Sequence, residues 1–490
     1  MPALRKSLSR QVRHPSCSPP PPSASLAEVQ QGSLFCALYS TTTPTGNLPC
    51  SKRDPTSEAY GKQARRVKRV VSFASRLPDE HPSQSLPQTP LYDSLTTNLP
   101  HPVMCFQEYP FPPATPIFPI ASRVQSCLES YAAHFDLMPH IKLNSTVLNL
   151  RWNSTQSQWA VTLTNADSVL FFDRVIVANG HHNIPRYPEI PGVEEWLSAK
   201  RASHSMWYRR PTALGDKVLV IGGGPSGTDI SAELRQVCTT VVRSLSGGVN
   251  EECGNVKTRG RTVKLGENGQ VHFADGSVES DIDYCILATG YQVSLPFIQL
   301  ASGLPPPCPP LPSELFNSTY HLFPLAKHLF PIQSAFPPTS IAFMGLPVRV
   351  APLPVMEAQA AAIIRVFNDP CALDIPHESQ RILARYAELH AQTGGNQAAI
   401  ARLWSIFSEK EQFDYQDELF EFAGLPQRVP QWRKDMYAAK GLLRAFWIEL
   451  ERRGEAERWV DGVGGGGIDE WAKLLQKLLQ SAREWDASTR

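Results

Sequence analysis

Residues 121–136 place Val124, Leu128, Tyr131 and Phe135 three and four positions apart, which puts their apolar side chains on one face of a helix. A strand-like pattern follows. Runs at 147–152, 159–163 and 170–177 read as strands, and the Asn153/Ser154 and Asn165/Asp167 clusters between them supply turn chemistry. The third run ends in Ala178-Asn179-Gly180, small residues that leave room for something bulky at the strand end. Residues 217–221 form a short, almost wholly apolar strand that opens directly into Gly222-Gly223-Gly224-Pro225-Ser226-Gly227. A helix is expected over 228–236 and a second strand over 239–243. Residues 262–278, with turn signals at 267–269 and 275–276, read as a hairpin leading to a strand within 283–291. The Pro-rich stretch 304–312 reads as a loop. From about Val355 the pattern is mostly helical, interrupted at Gly394-Gly395 and at the glycines of 464–467. No repeat of solenoid length is visible.

The chain has 490 residues, and since single cores stop growing near roughly 250–300 residues, at least two domains are expected. Lys and Arg number 47 against 46 Asp and Glu, so the charge pattern excludes the basic excess of a nucleic-acid binder. No apolar stretch reaches the roughly 18 residues of a membrane span, and no secretory signal opens the chain. A cytoplasmic protein is therefore expected. The acid-poor start, with Arg5, Lys6, Arg10 and Arg13 ahead of Glu28, keeps a mitochondrial alternative open, as does peripheral attachment to the endoplasmic reticulum. Of the 44 prolines, 20 fall in the first 120 residues, and 1–88 reads as a disordered or atypical Pro/Ser-rich leader. Ten scattered cysteines without a CxxC pair fit neither a zinc site nor a disulfide scaffold, so all are expected to be reduced thiols and no metal is expected.

The turn at 222–227 carries the chemistry. In GxGxxG after a buried strand, Gly222 allows the tight turn, Gly224 lets backbone approach a pyrophosphate, and Gly227 lets the helix pack on the sheet. The helix start then offers free N–H groups and a partial positive charge to an anion. The second strand ends in Val241-Val242-Arg243-Ser244, with no acid for a ribose 2′-hydroxyl; Arg243 with Ser244 suits a 2′-phosphate, which favours NADPH over NADH.

Other motifs point to a family. Leu91-Tyr92-Asp93-Ser94-Leu95-Thr96-Thr97-Asn98-Leu99-Pro100, with Met104 and Tyr109-Pro110-Phe111-Pro112 beyond it, resembles the active-site segment of flavin-containing monooxygenases. Residues 198–208 are similar to that family's FxGxxxHxxxY identifier: His204 and Tyr208 match, whereas Ser198 and Lys200 replace Phe and Gly. Leu287-Ala288-Thr289-Gly290-Tyr291 resembles the return to the flavin domain. Gly345-Leu346-Pro347, Pro352, Pro354, Glu357 and Gln359 resemble the segment that closes over the flavin ring. The likeness covers roughly 88–370 and is nearest to yeast-type, thiol-specific members.

The resemblance implies an α/β fold with two Rossmann-like domains: an FAD-type domain in two segments, 89–205 and 288–370, interrupted by an NADPH domain at 206–287 and followed by a mainly helical region, 371–490. It implies FAD and NADPH as cofactors, O2 as co-substrate, and a small soft nucleophile, a thiol, thioether or amine, oxygenated through a flavin C4a-hydroperoxide. Asn98 is the residue implied for catalysis, a neutral amide near the peroxide, with Thr97 and Leu99 lining the same contact. An Asx turn before Pro100 is the alternative account of Asn98. Ser226, Gly227, Thr228 and Asp229 are implied at the NADP phosphates or ribose, Gln359 at the flavin, and His204 and Tyr208 at a domain hinge. The family's own N-terminal GxGxxG for FAD has no counterpart before residue 91, so the FAD-type domain is expected to be N-terminally incomplete and the chain to hold FAD poorly. Two competing readings follow: an NADPH-binding relative that performs no oxygenation, and an N-hydroxylating monooxygenase. A homodimer is the assembly considered.

Overall fold

Five-residue apolar runs such as 217–221 are stable only when both faces are covered. The computed structural model, which describes residues 70–71, 89–164 and 168–489, buries this run at the centre of a six-stranded sheet. In chain order the sheet is built from β1 (Ala202–His204), β2 (Lys217–Ile221), β3 (Thr240–Ser244), β4 (Glu251–Cys253), β5 (Val256–Arg259) and β6 (Tyr284–Leu287). Their spatial order is β4-β5-β3-β2-β6-β1, parallel except for the β4–β5 pair. Helix α1 (Pro225–Leu234) crosses from β2 to β3, making a right-order strand–turn–helix–strand unit. It begins three residues before the sequence expectation because Pro225 is already at its first position. The sheet takes in β1, four residues ahead of the expected start of the inserted domain at 206.

The expected strand over 170–177 is two strands. Leu170–Phe172 pairs antiparallel with Gln158–Leu163, which itself pairs with Val147–Asn153; Val175–Val177 turns away and pairs in parallel with Ile341–Phe343. The chain changes partner at Asp173-Arg174, where the apolar run is interrupted. This parallel pair joins chain from before the six-stranded sheet to chain from after it, so the sheet is inserted between two segments that pair with each other, and the fold is α/β. A second parallel pair joins Val70–Val71 to Ile141–Lys142. The rest of the leader and the Asn165/Asp167 turn lie outside the described residues.

The amphipathic run beginning at 121 is the helix Ala121–His134, with Tyr131 and Ala132 packed on helix α2 (Pro352–Asn368), which is buried along most of its length. The C-terminal region is helical as expected. Its helices α3 (Lys440–Arg453) and α4 (Ile468–Thr489) enclose Leu99, Val103, Ile117 and Phe118 in one apolar core. Among the described residues six cysteines are free: Cys105, Cys127, Cys238, Cys253, Cys285 and Cys308. No helix among the described residues is long and apolar enough to cross a membrane.

Candidate functional site

The Gly-rich turn at the end of β2 has a different steric reason for each glycine. Gly222 has φ +123°, and a Cβ there would lie 2.2 Å from the Ala288 carbonyl oxygen. A Cβ at Gly227 would lie 2.1 Å from the oxygen of Gly222, so α1 rests directly on the turn. Around Gly224 there is nothing within 4 Å of such a Cβ, and Gly223, Gly224 and Pro225 are exposed. The middle of the turn is thus the open part, and the α1 N-terminus carries no side-chain cap. Ser226 and Thr228 stand in its first turn, with the Thr228 N–H bonded to the Gly224 carbonyl at 3.0 Å.

The two residues proposed for a 2′-phosphate differ. Ser244 is buried, donates to the Gly260 carbonyl at 3.0 Å, and accepts from the Thr262 N–H at 2.9 Å and the Thr262 hydroxyl at 2.7 Å. One donor and two lone pairs are thereby used. Arg243 makes no ion pair among the described residues, and its Nε is buried without a hydrogen-bond partner. An anion would satisfy it. The described residues around the turn therefore fit a phosphorylated dinucleotide.

Asp229 lies one turn into α1, exposed, and accepts the Tyr92 hydroxyl at 3.0 Å. Glu233, four residues on, accepts the Tyr208 hydroxyl at 2.6 Å, and the two tyrosine rings meet edge to face at 5.6 Å. Tyr92 belongs to the stretch that carries Asn98. That stretch is fixed by the Asp93 N–H to the Arg209 carbonyl at 3.0 Å, the Thr97 N–H to the Pro119 carbonyl at 2.9 Å, and the Thr97 hydroxyl to the Leu99 carbonyl at 2.8 Å. Asn98 is exposed, and its amide bonds to no described residue, so no Asx turn forms. Leu99 is buried among the C-terminal helices.

His204 is fully buried. Its Nδ1 accepts the Met206 N–H at 3.1 Å, and its Nε2 is 2.9 Å from the Gly290 carbonyl, an arrangement that requires the Nε2–H tautomer. Burial lowers its pKa to about 4, against the smaller opposing pull of that carbonyl. It ties the end of β1 to the Gly290 crossing, where Thr289 and Tyr291 contact Arg186. Gln359 is also fully buried: its Oε1 accepts the Gly345 N–H at 2.9 Å and its Nε2 donates to the Tyr415 hydroxyl at 3.0 Å, so both ends of the amide are engaged within the protein. Helix α2 starts seven residues after Gly345, whose φ is +79°; Pro352 and Pro354 lack an N–H, so Leu353 supplies the one donor of its first three positions that a flavin ring could use. A second Gly-rich strand-to-helix turn that could hold a flavin pyrophosphate is not found among the described residues.

Sequence reasoning brought Tyr92 onto the page only as part of a motif, and missed Arg444 entirely. The Arg444 Nη2 on α3 donates to Thr96 Oγ1 at 2.6 Å. Nothing local marks that arginine, because its contact lies 348 positions away.

Residues 79–250 and 249–424 match the family model described as flavin-binding monooxygenase-like. The chain is 31% identical over 240 residues to the thiol-specific monooxygenase of Saccharomyces cerevisiae, covering 45% of this chain and 52% of that protein. It is 27% identical over 405 residues to the flavin-containing monooxygenase FMO GS-OX-like 4 of Arabidopsis thaliana, covering 78% and 83%. The chain spans about half the length of other curated relatives it matches, such as 54% of human flavin-containing monooxygenase 2. Among solved structures it resembles S-allyl-L-cysteine S-oxygenase from Allium sativum, with TM-score 0.63, 26% identity, and 84% of this chain covered against 87% of that one. The Tmm structure from Pelagibacter, at 16% identity and TM-score 0.61, shares the fold.

Proposed function

Because the chain belongs to the flavin-binding monooxygenase-like family, we propose that it is an NADPH- and FAD-dependent monooxygenase that oxygenates a sulfur or nitrogen nucleophile. The observation that carries this reading is the joining of an exposed Asn98 to the helix of an open Gly-rich turn, through Tyr92 and Asp229. A neutral donor and a dinucleotide turn are thereby held on connected elements. Sulfur or nitrogen as the target is supported by similarity to proteins named thiol-specific monooxygenase, S-allyl-L-cysteine S-oxygenase and dimethylaniline monooxygenase.

In this reading Gly224 and the α1 N-terminus receive the NADPH pyrophosphate, with Ser226, Gly227 and Thr228 in the surrounding turn, and Arg243 receives the 2′-phosphate. Asn98 orients its amide toward the reaction centre without adding a charge. His204 and Tyr208 hold the hinge between the β1 end, Gly290 and α1. FAD, where it binds, supplies the oxygen-activating chemistry. A second reading, an NADPH-binding relative that holds no flavin, is favoured by the absence of a flavin pyrophosphate turn among the described residues.

The test is to express the full chain with excess riboflavin, purify it, record its visible absorbance, and follow NADPH oxidation with a thiol, a thioether and an amine. Oxygenated product with a stoichiometric flavin band supports the monooxygenase reading. NADPH binding without a flavin band selects the second reading, and absence of both sinks the two together.

A further inference from the structure

The C-terminal helices have no part in the chemistry above, yet one of their side chains reaches the stretch that carries Asn98. Besides its bond to Thr96, the Arg444 guanidinium lies 5.0 Å from the centroid of the Phe118 ring. Its Nη1 is buried without a hydrogen-bond partner, and among the described residues it forms no ion pair. The carboxylates whose charge acts on it are Glu451 on its own helix and Asp229 on α1.

Asp229 is also where Tyr92 is held. Tyr92 and Thr96 are linked through a turn in which the Leu95 N–H donates to the Tyr92 carbonyl at 3.0 Å. The stretch 92–96 is thus gripped twice, by α1 through Tyr92 and by α3 through Arg444. The grip on α1 resists rotation, because Asp229 and Glu233 stand one turn apart and each takes a hydroxyl from one of two rings that rest on each other.

We propose that Tyr92 and Arg444 are positioning residues that latch the stretch 96–98 to α1, so that occupancy of the Gly-rich turn is coupled to the placement of Asn98. The inference rests on reading that turn as an NADP site. An anion at the α1 N-terminus orders a helix whose next turn holds Tyr92, and the rigid ring carries that ordering into 92–96. Arg444 supplies the fixed end against which the stretch is held. Coupling of this kind is a shared free energy between the turn and the stretch, and it acts in both directions.

The experiment uses the full chain and NADP+ as the probe. Its dissociation constant is measured by titration, and amide hydrogen exchange at Leu95 and Thr97 is followed with and without saturating NADP+. In the wild type NADP+ is expected to slow exchange at both amides by about fivefold or more. Tyr92→Phe and Arg444→Ala are expected to lose that slowing, while the dissociation constant rises by no more than the same factor. Arg444→Lys, which keeps a donor and the charge, is expected to restore most of the slowing. A wild type that binds NADP+ with exchange at Leu95 and Thr97 unchanged overturns the latch alone. So does persistence of the slowing in Tyr92→Phe and Arg444→Ala. A wild type that binds no NADP+ overturns the dinucleotide reading together with the latch.

Discussion

Arg243 and Ser244 are neighbours at the end of one strand with opposite fates: the serine hydroxyl is consumed inside the protein and the arginine Nε is left without a partner. Arg243→Ala should therefore weaken NADPH by on the order of 1.5–3 kcal/mol, about ten- to a hundredfold, while NADH binding changes little. Titration with both nucleotides checks this, and equal affinity for the two in the wild type would refute it. The absence of an acid at this strand end was legible from the sequence; the difference between the two side chains was not, because it depends on Gly260 and Thr262, which arrive from beyond two further strands. A second residue-scale effect concerns Glu357, in a small cavity among Phe106, Tyr109, Tyr131 and Phe135. Its carboxylate oxygens each lie 3.2 Å from the Gln107 N–H, and burial raises its pKa from 4.5 to about 7. Between these two values the folded chain keeps a proton that the unfolded chain has released. The contribution of Glu357 to stability is thus full below pH 4.5, is lost as pH rises through 7, and is level above it. Glu357→Gln should remove that slope, so denaturant unfolding of variant and wild type should diverge across this window; parallel pH curves would show that the carboxyl does not titrate there. In flavin-loaded protein, Asn98→Asp keeps the size and adds a charge, and should raise the share of NADPH oxidation that ends as hydrogen peroxide. An unchanged ratio of product to peroxide would remove Asn98 from the reaction centre.

At the scale of elements, α1 does two jobs with two faces. Its start must approach the turn closely enough that Gly227 meets the Gly222 carbonyl, and its two following turns must each present an acid to a tyrosine. The glycines consequently separate under substitution. Gly224→Ala should fold with near-wild-type stability and bind NADPH more weakly, because its added methyl enters open space in the place expected for the pyrophosphate. Gly227→Ala should lose about 1–3 kcal/mol, because its methyl meets backbone. Thermal unfolding and NADPH titration of the pair give the comparison, and equal stability of the two variants would contradict the packing argument. The GxGxxG pattern announced this element because its meaning is local. Strand β5 went unnoticed, since Val256-Lys257-Thr258-Arg259 has no pattern of its own and becomes a strand only by pairing in parallel with β3. Strand β1 escaped for the same reason. Parallel strands draw their hydrogen bonds from distant chain, and a short polar one carries little in its own composition to reveal it.

Across the whole molecule, the stretch with Asn98 belongs to the same core as helices that begin more than three hundred residues later. Leu99, Val103, Ile117 and Phe118 pack with Leu443, Trp447, Trp471 and Leu475, and the buried His101 ring stands edge-on to Trp471 at 4.5 Å. The helicity of 371–490 was readable from its apolar spacing. Its service to the candidate site was not, because an amphipathic face names no partner. If the core is shared, damage at one end must be felt at the other. Trp471 is fully buried. Trp471→Ala should cost about 3–5 kcal/mol in urea unfolding, as large aromatic deletions do where surrounding side chains relax only partly. The cavity it leaves lies against His101, so the stretch 99–118 should open more often, and limited proteolysis there should accelerate relative to cleavage in the loop 304–312, which packs elsewhere. The six-stranded sheet draws on a different set of side chains, so at temperatures where the variant stays folded NADPH affinity should fall by no more than about fivefold, the factor that the coupling through Tyr92 and Arg444 carries. A loss below about 1 kcal/mol, or a rise in cleavage confined to the C-terminal helices, would mean that the two regions are stabilised separately and that the placement of Asn98 does not depend on the helical region.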